Sequence, residues 1–499
     1  MDESGHLPLA SDDAIFGPAE AAPRKPRRDD RFVARVTHLG RKGRPAGGIG
    51  PYAVEWSGWA GVPRWGAVPG ALVEGQIKRR RRDQLEARML QVVEPSPDAV
   101  EPRCPHFGSC GGCAFQDLAY PAQLEVLRRS LADTLAPLEF DSTPQLAPAP
   151  SPFAYRNKMD FTFSNRRWVE GREGPGDGRP TDFALGLHVA GRFEKVLDVE
   201  HCAIHFDGAD ALLSDVRAAA LASGLPAWDV REHTGFWRHA VLRRGEHTGE
   251  TMVHLVTTPV GADDVRERAL QQLTATLLER HPQLTCVQHS ETERLSTVAV
   301  GERQRTLHGT GRIHDELLGV RFAISAESFF QTNTRAAEGM LTWIGERLSD
   351  ERGGVLHDLY CGAGAIGLTL AARFERVVGV ELVESAVTDA RANAALNGFE
   401  HVDFHLGDVP AVLRGATPLP APEVVVVDPP RAGLHPDLVE TLCSSPPRRL
   451  IYVSCNPKSA ARDLAPMVAG PYAIEASRAF DLFPHTPHVE CVFDLRRRA

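Results

Sequence analysis

Val355–Ala371 reads VLHDLYCGAGAIGLTLA, an apolar run that breaks into a glycine-rich turn and resumes with helical spacing. Gly362 and Gly364 allow a tight turn and a close backbone approach to a ligand, the usual arrangement where a parallel strand feeds a helix at a binding crevice. Working outward, RVVGVEL (376–382), EVVVVD (423–428) and RLIYVSC (449–455) are further apolar runs. The stretches between them, ESAVTDARANAALN (384–397) and HPDLVETLC (435–443), carry helical patterns. This strand–helix–strand rhythm from Gly354 onward predicts an α/β, doubly wound, mostly parallel Rossmann-like sheet. PYAIEASRAFD (471–481) and HVECVFDLR (488–496) predict a final pair of strands at one edge.

Upstream the text differs. FVARVTHL, YAVEWSGW, GALVEGQIKR and LEARMLQVV are short alternating runs separated by Gly/Pro clusters such as RKGRPAGGIGP, which predicts a small β-barrel. The barrel stretch resembles a TRAM domain, a small RNA-binding β-barrel. Leu124, Leu127, Leu131 and Leu135 space a helix, and LAPAPSP (146–152) reads as a linker. Beyond it, YRNKMDFTFS, FALGLHVAGRF, AVLRR and TMVHLVTT predict strands of a mixed α+β region, with a loop at EGREGPGDGRPTD. The expected organisation is a disordered tail over 1–30, a barrel over 31–95, a central α+β domain over 96–328 and a Rossmann-like domain over 329–499.

The chain has 499 residues, 42% hydrophobic and 24% charged, as in globular proteins that bury several cores. It lacks a run of about 18 apolar residues, so no membrane span is expected. The opening MDESGHLPLA has no basic-then-apolar leader pattern, so a cytoplasmic location is expected. The net charge of −9 is uneven: residues 1–21 carry −5, residues 22–90 carry +10, and the remainder −14. A basic segment of that size fits a nucleic-acid arm, because neutralised phosphates release counterions; a solvated basic tail is the bland alternative.

The nine cysteines are scattered and odd in number, which argues against a disulfide framework. Three sit together in RCPHFGSCGGC as Cys104, Cys110 and Cys113, with Cys202 in EHCAIH the best candidate for a fourth ligand. Such a set suits zinc or an iron–sulfur cluster, and spacing alone does not choose.

Three acids follow successive strands. Glu381 ends RVVGVEL, where it can accept from ribose hydroxyls, and Asp408 in HLGD can meet an adenine amino group. With Asp358 in the loop strand they fit an adenosine ligand bearing a cationic sulfonium, S-adenosylmethionine. No G-x-x-x-x-G-K-[ST] loop is present. VVVVDPPRAG sets Asp428 at the fourth strand end, with Arg431 where amino-methyltransferases carry an aromatic residue. YVSCNP sets Cys455 at the fifth, and HTPHVECVFDL supplies Glu490. The combination has a chemical reason. Uracil C5 is too weak a nucleophile to attack a methyl sulfonium unaided; a thiolate adding to C6 makes an enolate, and a base must later remove the C5 proton. An amino-methyltransferase would need neither group.

CPHFGSCGGCAFQDLAYPAQL, YRNKMDFTFS, SFFQTN, DLYCGAGAIGLTLA, DPPRAG, YVSCNP and FPHTPHVE together resemble the RNA uracil-C5-methyltransferase family, over roughly residues 30–499. They are most similar to its 23S ribosomal RNA branch with an iron–sulfur cluster. The resemblance implies Cys455 as nucleophile and Glu490 as general base. It also implies a [4Fe–4S] cluster on Cys104, Cys110, Cys113 and Cys202. Gln331, Tyr360, Glu381 and Asp408 would line the S-adenosylmethionine site, with Asp428 between cofactor and uracil. Phe329 and Phe330 are candidates for stacking on a flipped base, or for core aromatics. Ala365, Asp117 and Arg128 depart from residues common in the family. The implied partner is 23S ribosomal RNA, with a transfer-RNA T-loop uridine as alternative; no membrane is expected, and a monomer is. The competing readings are a non-catalytic RNA-binding assembly factor and a zinc-bound amino-methyltransferase.

Overall fold

The structure, a computed structural model, describes residues 25–40, 43–59, 65–138, 143–169, 178–416 and 419–498. The expected disordered tail falls mostly on positions 1–24, outside the described residues, as does the 170–182 loop up to residue 177. Internal contacts divide the chain into two units, Met1–Arg129 with His485–Pro487, and Ser130–Pro484 with His488–Ala499.

In the first unit, strands Arg31–Leu39, Pro45–Ile49, Tyr52–Trp59, Leu72–Arg81 and Gln84–Glu94 close a barrel, the fifth lying between the third and fourth. Alternation explains its core: Phe32, Ala34 and Val36 turn inward from one strand to meet Trp56, Ile77 and Met89. Pro45–Ile49 was not legible as a strand, because it sits inside a Gly/Pro cluster. Gly47 makes it one: a Cβ there would stand 2.3 Å from the Arg35 carbonyl oxygen, so only a bare backbone pairs this closely. The cysteine stretch packs in the same unit. Its Asp117 carboxylate accepts from the Gly66 N–H at 2.9 Å and is pushed up to about 6 by burial. Gln123, on the helix Tyr120–Leu135, is 1% exposed and grips a segment from far along the chain. Its Oε1 accepts from the His485 N–H at 3.2 Å, its Nε2 lies 3.1 Å from His485 Nδ1, and the Ala114 and Phe115 N–H groups donate to the His485 carbonyl.

The second unit holds two large sheets. The first has seven strands, in the order Arg303–His308, Leu284–Glu291, Thr251–Thr257, Trp237–Arg244, Lys158–Ser164, Ala184–Val189 and Arg192–Asp198. Helices Ala209–Ala222 and Asp264–Arg280 supply Leu212, Val216, Leu270 and Leu273 to its core. The hairpin Arg312–Leu317 and Val320–Ser325 buries Ile313 and Phe322 with Met252 and Cys286, so the central strands lose the polar alternation of a one-sided sheet.

The second sheet is the expected Rossmann-like one. Val402–Leu406, Arg376–Glu381, Val355–Leu359, Val424–Val427 and Arg449–Ser454 run parallel in that order. Glu490–Arg497 and Tyr472–Phe480, the pair of strands expected toward one edge, follow and run antiparallel, and Gln145–Ala147 caps the edge by pairing with Arg478–Phe480. That last strand begins the stretch expected to be linker; it is strand because a free sheet edge offers its backbone partners. Among the described residues no helix is long and apolar enough to cross a membrane.

Candidate active site at the strand ends

Parallel strands deliver their carboxyl ends to one edge of a sheet, and the expected cofactor residues all lie there. Tyr360 follows Val355–Leu359 with φ 63°, a left-handed conformation uncommon for a side chain of this size. Its phenol is pushed up to about 12 by burial and by Asp408. Gly364 (φ 85°) opens the helix Ala365–Leu370, and a Cβ on it would stand 2.8 Å from the Phe404 ring. The Glu381 carboxylate accepts N–H bonds from Gly362, Leu382 and Val383 at 2.8–3.1 Å, so it orders the loop as well as facing the crevice. Asp408 caps the next turn through the Ala411 N–H and is otherwise exposed.

A pocket joins Phe329, Gln331, Met340, Asp358, Tyr360, Ala363, Ala365 and Asp428. Gln331, Tyr360 and Asp428 are thus brought together as expected, while Glu381 and Asp408 flank that pocket. Asp358, the third of the acids expected to suit the cofactor, lines the pocket as well. It is 0% exposed and is pushed up to about 7 by burial. Its Oδ2 accepts from the Gly367 N–H at 2.8 Å, while Oδ1 has no partner. The orphaned oxygen, the acids and the bare glycine turn suit a cationic adenosine cofactor. Phe329 and Phe330 both line the pocket but differ in exposure: Phe329 is 65% exposed, whereas Phe330 is 5% exposed and packs on Phe322.

Strand register accounts for the pairing of Cys455 and Glu490. Arg449–Ser454 and Glu490–Arg497 are antiparallel with Ser454 opposite Cys491, so one step further sets Cys455 against Glu490. Glu490 is 4% exposed; burial and then Asp428 push its carboxyl well up, and its Oε1 has no hydrogen-bond partner. Asp428 is pushed up to about 7 by burial. The Cys455 thiol is pushed up to about 11 by burial, then by Glu490 and Asp428, with Arg431 opposing them. Sequence reasoning did not find the clamp on Arg431, whose carbonyl accepts from Asn456 Nδ2 at 2.8 Å and whose Nη2 lies 2.9 Å from His488 Nδ1.

Among the described residues no group of three or more His, Cys, Asp or Glu side chains is arranged to hold a metal ion. Cys104, Cys110 and Cys113 belong to the first unit and Cys202 to the second. Cys110 accepts from the Gly112 N–H and Cys113 from Gln116 Nε2, and burial pushes the Cys110 thiol up to about 11.

Comparison with known proteins agrees with the geometry. The family model described as tRNA (uracil-5-)-methyltransferase matches residues 249–406 and 421–498. An uncharacterized RNA methyltransferase of Chlorobaculum tepidum is 39% identical over 434 residues, covering 85% of this chain and 89% of its own. Another, from Caldanaerobacter subterraneus, is 38% identical and covers 86% of this chain and 92% of its own. Among solved structures, the tRNA (uracil-54, C5)-methyltransferase of Pyrococcus abyssi in complex with S-adenosyl-L-homocysteine is similar with TM-score 0.71 and 27% identity, covering 93% of this chain and 100% of that one.

Proposed function

The chain belongs to the tRNA (uracil-5-)-methyltransferase family of S-adenosylmethionine-dependent RNA methyltransferases, and we propose that it makes 5-methyluridine, with 23S ribosomal RNA as its substrate on the strength of the barrel and the cysteine loop. The carrying observation is the register that sets Cys455 against Glu490 beside the cofactor pocket.

In this reading Gln331, Tyr360, Asp358, Glu381 and Asp408 hold the cofactor, and Asp428 stands between it and the uracil. When bound, S-adenosylmethionine supplies an electrophilic methyl group. Cys455 Sγ, as thiolate, adds to uracil C6 and drives the C5–C6 electron pair onto C5 and O4. C5 takes the methyl group, and Glu490 accepts the C5 proton through its unpartnered Oε1. Cys455 then leaves with its electron pair, restoring the C5–C6 double bond. A carboxyl held above its ordinary range is a stronger base than a solvated one and suits removal of a carbon-bound proton. The barrel, read as a TRAM domain, grips RNA with Lys78–Arg82, and exposed Phe329 stacks on the flipped base.

A second reading is a transfer-RNA T-loop uridine, favoured by the likeness to the Pyrococcus tRNA enzyme. Nucleoside mass mapping of ribosomal and transfer RNA from a deletion strain decides between them. Loss of one ribosomal 5-methyluridine is expected; loss only from transfer RNA selects the second reading, and no loss in either overturns both. The set Cys104, Cys110, Cys113 and Cys202 enters no step. A [4Fe–4S] cluster there rests on the motif alone. Iron and acid-labile sulfide in equal amounts in anaerobically purified protein would support it, and their absence would remove it.

A further inference from the structure

Arg431 stands where two loops meet, and each loop holds a different part of it. Its carbonyl is tied to Asn456, the residue after Cys455, at 2.8 Å. Arg462 Nη2 donates to the neighbouring Ala432 carbonyl at 2.8 Å, so the turn itself is pinned. Its guanidinium is tied by Nη2 to His488 Nδ1 at 2.9 Å, two residues before Glu490. A guanidinium has only donors, so Nδ1 is the acceptor and the ring proton sits on Nε2. Burial, and then Arg431 itself, push His488 below its ordinary range, which keeps the ring neutral and the acceptor open.

The charge so held matters because the surrounding field is adverse. Glu490 and Asp428 both oppose ionisation of the Cys455 thiol, and Arg431 is the cation that opposes them; it likewise favours the ionised form of Glu490. Arg431 is exposed, and a long exposed side chain with no fixed partner spreads its charge over many rotamers. We propose that His488 is a positioning residue whose Nδ1 fixes the Arg431 guanidinium beside Cys455 and Glu490, so that one cation serves both the attacking thiol and the proton-accepting carboxylate.

The proposal rests on Cys455 and Glu490 acting as described above, and the test separates the two. Full-length parent, His488→Ala, His488→Asn and Arg431→Gln proteins, and the double variant His488→Ala/Arg431→Gln, are compared. Cys455 alkylation by iodoacetamide is followed across pH by peptide mass spectrometry, beside steady-state methyl transfer to RNA. His488→Ala is expected to raise the alkylation midpoint by about one pH unit and to lower kcat about tenfold, with little change in KM for RNA. His488→Asn, whose Oδ1 can replace Nδ1 as acceptor, is expected to restore both. In the Arg431→Gln background His488→Ala is expected to add no further loss, since the two act as one unit.

An unmoved alkylation midpoint in His488→Ala overturns the proposal. So does a His488→Asn protein as impaired as the alanine variant, or an equal loss from His488→Ala with and without Arg431. Cys455→Ala is assayed alongside. If it still methylates RNA, the proposed function has failed; if it is inert while His488→Ala behaves as the parent, only the role of His488 has.

Discussion

At the residue scale the site is defined by buried acids whose oxygens await something the folded chain does not supply. Glu490 Oε1 is one, and its task in the proposed cycle comes after Cys455 has added to the ring. Glu490→Gln is therefore expected to form the covalent RNA adduct at the parental rate or faster, since the carboxylate that opposes ionisation of the Cys455 thiol is gone. Its turnover should fall by about 10²- to 10⁴-fold, so that adduct with natural RNA accumulates on a denaturing gel. Cys455, pushed up to about 11, enters neutral solution as a thiol, so adduct formation with 5-fluorouridine RNA should climb with pH from about 7 toward 10. A rate flat over that range would contradict a buried, carboxylate-opposed thiol as the nucleophile. Asp358 Oδ1 is a second orphan, and its carboxyl is pushed up to about 7. An unfolded aspartate ionises near about 3.9, so between that pH and 7 the folded chain retains a proton that the unfolded chain releases. Its raised pKa thus weakens the fold progressively as pH rises through that window and has no such effect below it. Asp358→Asn keeps an acceptor for the Gly367 N–H, and its stability gain over the parent should grow from pH 5 to 8, by an amount on the order of a few kcal/mol. Thermal unfolding at the two pH values checks this. Glu490 and Cys455 were legible because the chemistry demands a thiol and a base. The pairing of His488 with Arg431 was not, since a residue's hydrogen-bond partner is set by loop geometry that composition does not encode.

Elements were legible where a pattern persists over several residues. Val355–Leu359, Val424–Val427 and Arg449–Ser454 of the Rossmann-like sheet are largely buried because both faces are covered there, whereas the edge strand Val402–Leu406 carries Asp403 and His405 and stays partly open. Pro45–Ile49 and Gln145–Ala147 were missed for the same reason: each is short, and each is strand through what its neighbours offer rather than through its own propensity. The grip of Gln123 on His485 lies further beyond reading, since 362 residues separate the two. Gln123 Nε2 also donates to the Phe115 and Leu118 carbonyls at 2.9 and 2.6 Å, so the side chain serves the helix start and the distant segment together. Gln123→Ala leaves a buried N–H and buried carbonyls without partners. Each such group costs about 1–3 kcal/mol, and a drop in the thermal midpoint is expected. Gln123→Glu should lose at least as much as the alanine variant, because a buried carboxyl oxygen in place of Nε2 would face the Phe115 and Leu118 carbonyls. A glutamate variant as stable as the parent would mean that these carbonyls need no donor from this residue.

At the scale of the whole molecule, the net charge of −9 misleads and its distribution does not. The barrel stretch carries +10 over residues 22–90 while the chain beyond carries −14, so a polyanion meets an attractive surface at one part of the sequence only. Arg79 and Arg81 at the end of the Leu72–Arg81 strand, with Arg44 beside the Pro45–Ile49 strand, line one concavity of the barrel together with His38, Glu55 and Glu86, so three arginines face two acids there. Arg44 is paired with Glu55 at 2.9 Å, but both side chains are well exposed, and a surface pair of this kind is worth at most about 1 kcal/mol, little enough for a phosphate to displace. Each cation that meets a phosphate releases counterions, and log affinity then falls with log salt by about 0.7–0.9 per contact. Replacing Arg44, Arg79 and Arg81 together with Gln should therefore lower RNA affinity at low salt and reduce the salt slope by about 2–3. Affinity for S-adenosylmethionine and the yield of Cys455 adduct at saturating RNA should be unchanged, because only phosphate contacts are lost and saturating RNA offsets them. Fluorescence anisotropy titrations of RNA at several salt concentrations measure the slope. A triple variant with the parental slope would move the RNA-binding charge away from this concavity, to other cations of the basic segment such as Lys78, Arg80 and Arg82.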